Sequence, residues 1–162
     1  MTTILPANAA FVTTDHLSSD TQTWNKMWRT EIRATDAPAT TRRWMTVFDL
    51  APSASQVANA TSLNVSGGLA VGTLLASSAG NSVVIAGTAP VGTAIAGSFS
   101  YTVPASATRH VITDLAPSTG YTVSVSVSAG NHIVTVTPGG SSTATANGVL
   151  SFSVTAGGTL QP

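Results

Sequence analysis

Cysteine is absent from the 162-residue chain, which excludes a disulfide framework and any thiolate metal site. Charge is nearly absent too. Asp, Glu, Lys and Arg make up 7% of the residues, against roughly a quarter in ordinary soluble domains. There is no basic excess, since six Lys and Arg balance six Asp and Glu. Non-specific nucleic-acid binding, which needs such an excess to release counterions, is therefore not expected. No apolar run approaches the roughly 18 residues of a membrane helix, so no membrane span is expected. The opening MTTILPANAAF lacks a basic stretch followed by a long apolar core, so it does not read as a signal peptide. Low charge with abundant Ser, Thr, Gly and Ala is typical of secreted, periplasmic or cell-surface bacterial proteins. The expectation is a domain from the tail of a longer exported polypeptide.

What charge there is lies in one place. Ten of the twelve formal charges fall between residues 15 and 49, and all three tryptophans, Trp24, Trp28 and Trp44, lie there as well. Residues 9–14 read as a short strand. Residues 28–33 alternate, with Trp28, Thr30 and Ile32 on one face and Arg29, Glu31 and Arg33 on the other, which is the period of a half-buried strand. A helix competes over 24–33, because Trp24, Met27, Trp28 and Glu31 have helical spacing; Thr30 and Ile32 favour the strand. Residues 43–50 read as the next strand, and Arg42 and Arg43 would stand beside Arg29 and Arg33 if the two strands form a hairpin.

After Pro52 the texture changes. Short apolar runs recur at 57–65, 69–75, 82–86, 93–101, 109–113, 121–127, 131–137 and 149–154, separated by Gly, Pro and Asn turn signals. That spacing predicts an all-β, mostly antiparallel β-sandwich. The domain is expected to cover 1–156, with a sub-boundary near 51–56 and a frayed tail over 157–162. Tyr121, Val123, Val125 and Val127 alternate strictly with Thr122, Ser124 and Ser126, and Gly130-Asn131 marks a hairpin into 132–137. Leu115-Ala-Pro-Ser-Thr-Gly-Tyr121 has the form of a tyrosine corner, a structural device of immunoglobulin- and fibronectin-like sandwiches.

Several chemistries lack their parts. Of His16, His110 and His132, none has a metal-ligand spacing to another histidine, and no Asp-rich calcium loop occurs. No G-x-S-x-G elbow is present, Glu31 is the sole Glu, and the Gly-Gly pairs at 67–68, 139–140 and 157–158 sit in turns. A serine set with His110 or His132 and Asp114 has no support in the spacing. No catalytic role, metal or cofactor is expected. The candidate ligand-binding set is Trp24, Trp28, Arg29, Glu31, Arg33, Arg42, Arg43 and Trp44: aromatic faces stack on pyranose rings, and Arg pairs with carboxylate or sulfate. The competing reading puts Trp28 and Trp44 in a core and pairs Arg29 with Glu31. Trp24, in a polar context, is the better platform.

Three stretches, AFVTTDHLSSDTQTWNKMW, WRTEIRATDAPATTRRWMTVFDL and TRHVITDLAPSTGYTVSVS, together resemble the C-terminal β-sandwich region of heparinase II/III-like polysaccharide lyases. Thr46 stands where many such proteins have His. Their catalytic residues lie largely on a helical toroid domain, which this chain lacks, so they are not carried over. The resemblance implies an accessory domain that packs against a lyase catalytic domain in the same parent chain or helps hold an acidic polysaccharide. The alternative is a structural or adhesive module whose exposed strand edge drives self-association.

Overall fold

The computed structural model describes residues 2–5, 9–15, 28–35, 44–47, 59–77 and 80–161; for 2–5, 13–15, 28–30 and 34 the description is of the backbone. Among these residues the fold is all-β, and no helix occurs that is long and apolar enough to cross a membrane. The chain divides into two compact units, Met1–Phe48 and Asp49–Pro162.

The first unit holds two ribbons. β1 (Thr2–Leu5) pairs antiparallel with β4 (Met45–Val47), and β2 (Ala9–Asp15) pairs antiparallel with β3 (Trp28–Ala34). The strand reading of 28–33 thus holds over its helical competitor. Among the described residues, the strands at 28–34 and 45–47 do not pair with each other. Each takes its partner from the N-terminal end of the chain, placing Phe11 opposite Ile32 and Val12 opposite Glu31.

The second unit holds two larger sheets. Its strands are β5 (Asn59–Leu63), β6 (Ala70–Ser77), β7 (Gly80–Gly87), β8 (Phe99–Pro104), β9 (Ala107–Ile112), β10 (Gly120–Ser128), β11 (Asn131–Pro138), β12 (Ser142–Thr143), β13 (Leu150–Val154) and β14 (Leu160–Gln161). One sheet runs β12-β10-β11-β8 and the other β14-β13-β9-β7-β6-β5. All described pairings are antiparallel except β7 with β9. A parallel neighbour needs a crossover, and here the crossover passes through β8 in the other sheet.

Both sheets feed one apolar core. β7 and β9 contribute Val83, Ile85 and Ile112; β13 contributes Leu150, Phe152 and Val154; β8, β10 and β11 contribute Phe99, Tyr101, Val103, Tyr121, Val134 and Val136. Alternation produces this sorting, because period-two strands send every second side chain inward. In β10 the Val positions turn in while Thr122, Ser124 and Ser126 stay exposed, until Val127 at the far end, which is 52% exposed. The hairpin to β11 turns at Ala129-Gly130, both with positive φ (48° and 77°), the two-residue geometry whose twist suits antiparallel strands. The tyrosine corner forms: the Ala116 N–H donates to the Tyr121 hydroxyl at 2.9 Å. Gly148, at φ 70°, sits against Leu115, where a Cβ would run into the Leu115 carbonyl. Leu115 N–H in turn donates to the Gly148 carbonyl at 3.0 Å.

Three boundaries differ from the pattern-based expectation. The strand read at 93–101 begins only at Phe99, because Ile95 N–H leaves the ladder to donate to the Asp114 carbonyl at 2.7 Å. Leu160–Gln161 form a short strand, β14, near the end of the chain. A turn closed by Thr155 and Thr159 folds β14 back onto β13, and Leu160 packs on the core. The two-residue β12 edges the smaller sheet by pairing with β10, in a stretch too rich in small polar residues to show a period.

Candidate functional site

On β3, Arg29, Glu31 and Arg33 occupy alternate backbone positions, and the side chains of Glu31 and Arg33 are described. The Glu31 carboxylate is held by Arg33: Nε donates to Oε2 at 2.7 Å, and Nη2 reaches the same oxygen. The pairing of Glu31 with Arg29 concerns a side chain outside the described ones; among described side chains Glu31 meets Arg33. The Arg33 side chain remains 59% exposed and that of Glu31 23%. A guanidinium carries five N–H donors. Two of them engage Glu31, leaving a face that can address a second oxyanion.

Trp44 immediately precedes β4 and is 42% exposed, while Phe11 on β2 is 43% exposed. Trp44 is thus not a closed core residue. Trp28 and Arg29 are placed by their backbones opposite Asp15 and Thr14. Trp24, Arg42, Arg43 and His16 lie outside the described residues. Thr46 is in β4, opposite Thr3.

The second unit buries both of its histidines, while Arg109 and Asp114 stay exposed. His110 on β9 and His132 on β11 are both fully buried. His110 Nδ1 lies 2.9 Å from the Tyr101 hydroxyl on β8, and its ring stacks on Phe152 of β13 at 4.9 Å between centroids. Burial lowers the His110 pKa from 6.5 to about 4; the Ala107 backbone carbonyl acts in the opposite direction, and His132 lowers it further. Burial also pushes the Tyr101 phenol well above its ordinary value. Asp114 accepts from Gly87 N–H at 3.0 Å and has a φ of 59°, so its carboxylate braces a turn while His110 faces Tyr101. The imagined serine set has no such geometry. Among the described residues no group of three or more His, Asp or Glu converges as a metal site.

One open pocket of about 340 Å³ lies beside the β8 edge, lined by Asn64, Ser66, Ser100, Tyr101 and Thr102. Its hydroxyls are engaged with one another, Ser66 Oγ to Ser100 Oγ at 2.8 Å. It contains no charged group, so it offers hydrogen bonds without an acid, base or nucleophile activator.

The buried imidazoles were legible in part. His132 falls on the same alternating face as Val134 and Val136, which already directs it inward. Its approach to β9 crosses between sheets, and no local spacing encodes that. Comparisons with protein-family models, with curated proteins and with solved structures returned no match.

Proposed function

We propose that this chain is a non-catalytic accessory module of a secreted, lyase-type polysaccharide-degrading enzyme, and that its N-terminal unit holds an acidic glycan. The observation that carries the reading is the pairing of solvent-facing cation and aromatic in one unit: Arg33 with its side chain 59% exposed, and Trp44 at 42%. Guanidinium groups match carboxylate and sulfate in a fork, and indole faces stack on sugar rings. The non-catalytic part rests on where the described histidines are. His110, His132 and Tyr101 are closed off from water in the core, out of reach of a polymer. We read the second unit as an immunoglobulin- or fibronectin-like sandwich. Support comes from the common core of its two sheets, the strand that crosses between them, and the tyrosine corner at Tyr121.

An assembly or adhesive module is the second reading. It is favoured by β5, which among the described residues has a strand neighbour on one side only and is largely exposed. Concentration-dependent sedimentation separates the two, because edge pairing raises the mass without any sugar.

Tryptophan emission is a selective probe here, because all three tryptophans belong to Met1–Phe48. Titration with polyuronates or sulfated glycans should give a saturable change that weakens as salt rises. Neutral polysaccharides of similar length should give a smaller one. An emission that no glycan alters would remove the binding role and leave the assembly reading.

A further inference from the structure

Two imidazoles fasten the core of the second unit from opposite sides. His110 belongs to the six-stranded sheet and is hydrogen-bonded to Tyr101 of the four-stranded sheet. His132 belongs to the four-stranded sheet, and its Nε2 lies 3.1 Å from the Ala156 carbonyl, just beyond β13 of the six-stranded sheet. A carbonyl only accepts, so His132 Nε2 carries a proton. His132 Nδ1 and His110 Nε2 are both buried with no hydrogen-bond partner among the described residues. Each histidine therefore makes one bond between the sheets and leaves one nitrogen unsatisfied.

We propose that this pair is an acid-operated latch, which holds the two sheets together while His110 is neutral and releases them when His110 takes a proton. Among the described residues, none offers a charged His110 a counter-ion. β8 presents Tyr101 to it and β11 presents His132, whose positive form would repel it. Its ladder neighbours on β7 and β13 are Val83 and Phe152. On its own strand Arg109 is exposed, and the Asp114 carboxylate further along braces Gly87. An imidazolium there turns both ring nitrogens into donors, so the Tyr101 hydroxyl can meet Nδ1 only as an acceptor, while burial keeps that phenol protonated with its own O–H to satisfy. The charged form gains by reaching water, and the way to water is separation of the sheets.

The sign follows from where the proton binds. With His110 lowered from 6.5 to about 4 in the folded state, the unfolded chain binds the extra proton between those values. Stability is therefore full above pH 6.5 and is lost as the pH falls toward 4. The unfolded-to-folded ratio should rise on the order of 100-fold between about pH 7.5 and about pH 4.5 through this group alone. Urea unfolding followed by far-UV circular dichroism at these two pH values, on the full chain and on His110→Phe, tests it. Phe keeps the stack on Phe152 and cannot ionise, so most of the acid-induced loss should disappear in H110F. Equal losses in both proteins would overturn the latch. Should H110F fail to fold, an NMR titration of the wild-type histidine ring protons decides. A His110 signal that titrates only near the low end of that range supports the latch, and one that titrates at the ordinary imidazole value overturns it.

Discussion

Nine of the twelve formal charges and all three tryptophans fall in Met1–Phe48, whereas Asp49–Pro162 has only Asp49, Arg109 and Asp114. The two units also differ in how they use polar groups. In the first, a carboxylate and a guanidinium meet on an exposed strand face. In the second, Asp114 and Thr155 serve turns and the imidazoles are buried, while the exposed strand positions are mostly Ser and Thr. A fold with so little charge gains almost nothing from surface ion pairs, which contribute only about 0–1 kcal/mol each in any case. Its order comes from alternation, turn geometry and a few directed hydrogen bonds. On the function proposed above, the contrast separates a unit that makes contact from one that supports it.

That division can be broken in the support unit first, where effects should be largest. Phe152→Ala removes a 5%-exposed ring that stacks on His110, and should cost about 3–5 kcal/mol in urea unfolding. A loss below about 1 kcal/mol would mean that the core does not depend on this stack. Next comes the tyrosine corner. Tyr121→Phe keeps the ring and strands the Ala116 N–H, for an expected loss of about 1–2 kcal/mol by the same measurement. The smallest effect has the opposite sign. Ala129 occupies a left-handed conformation at φ 48°, which costs an alanine roughly 1 kcal/mol. Ala129→Asn gives the Asn-Gly pair that this turn prefers, and should raise the urea midpoint by an amount worth a few tenths of a kcal/mol to about 1 kcal/mol.

The all-β architecture could be read directly, because alternation in 121–127 and 131–137 and the turn residues between them are local signals. The corner at Leu115–Tyr121 was legible for the same reason. Long-range choices were not. Nothing in residues 28–33 says that their partner is 9–15 and not 43–47, since either pairing would satisfy the same period. The stretch at 93–97 contains apolar residues, but Ile95 is buried by a loop that hangs from Asp114, a contact across 19 residues. Leu160 looked like part of a loose tail because two glycines precede it; those glycines make the turn that returns it to the core. The candidate site was legible as composition, and its internal pairing was not. Arg33 is the residue that takes Glu31, a matter of side-chain reach along one strand.

The most direct test sets the two units against each other through one cation from each. Arg33 lies on the exposed face of β3, and Arg109 is the sole Lys or Arg of the second unit, also exposed. Affinity electrophoresis through gels containing a polyuronate, at low and high salt, compares wild type, Arg33→Gln and Arg109→Gln. The division of roles predicts salt-sensitive retardation of the wild type, a several-fold weaker retardation of R33Q, and wild-type behaviour for R109Q. Equal weakening by both substitutions, or a larger loss in R109Q, would contradict it.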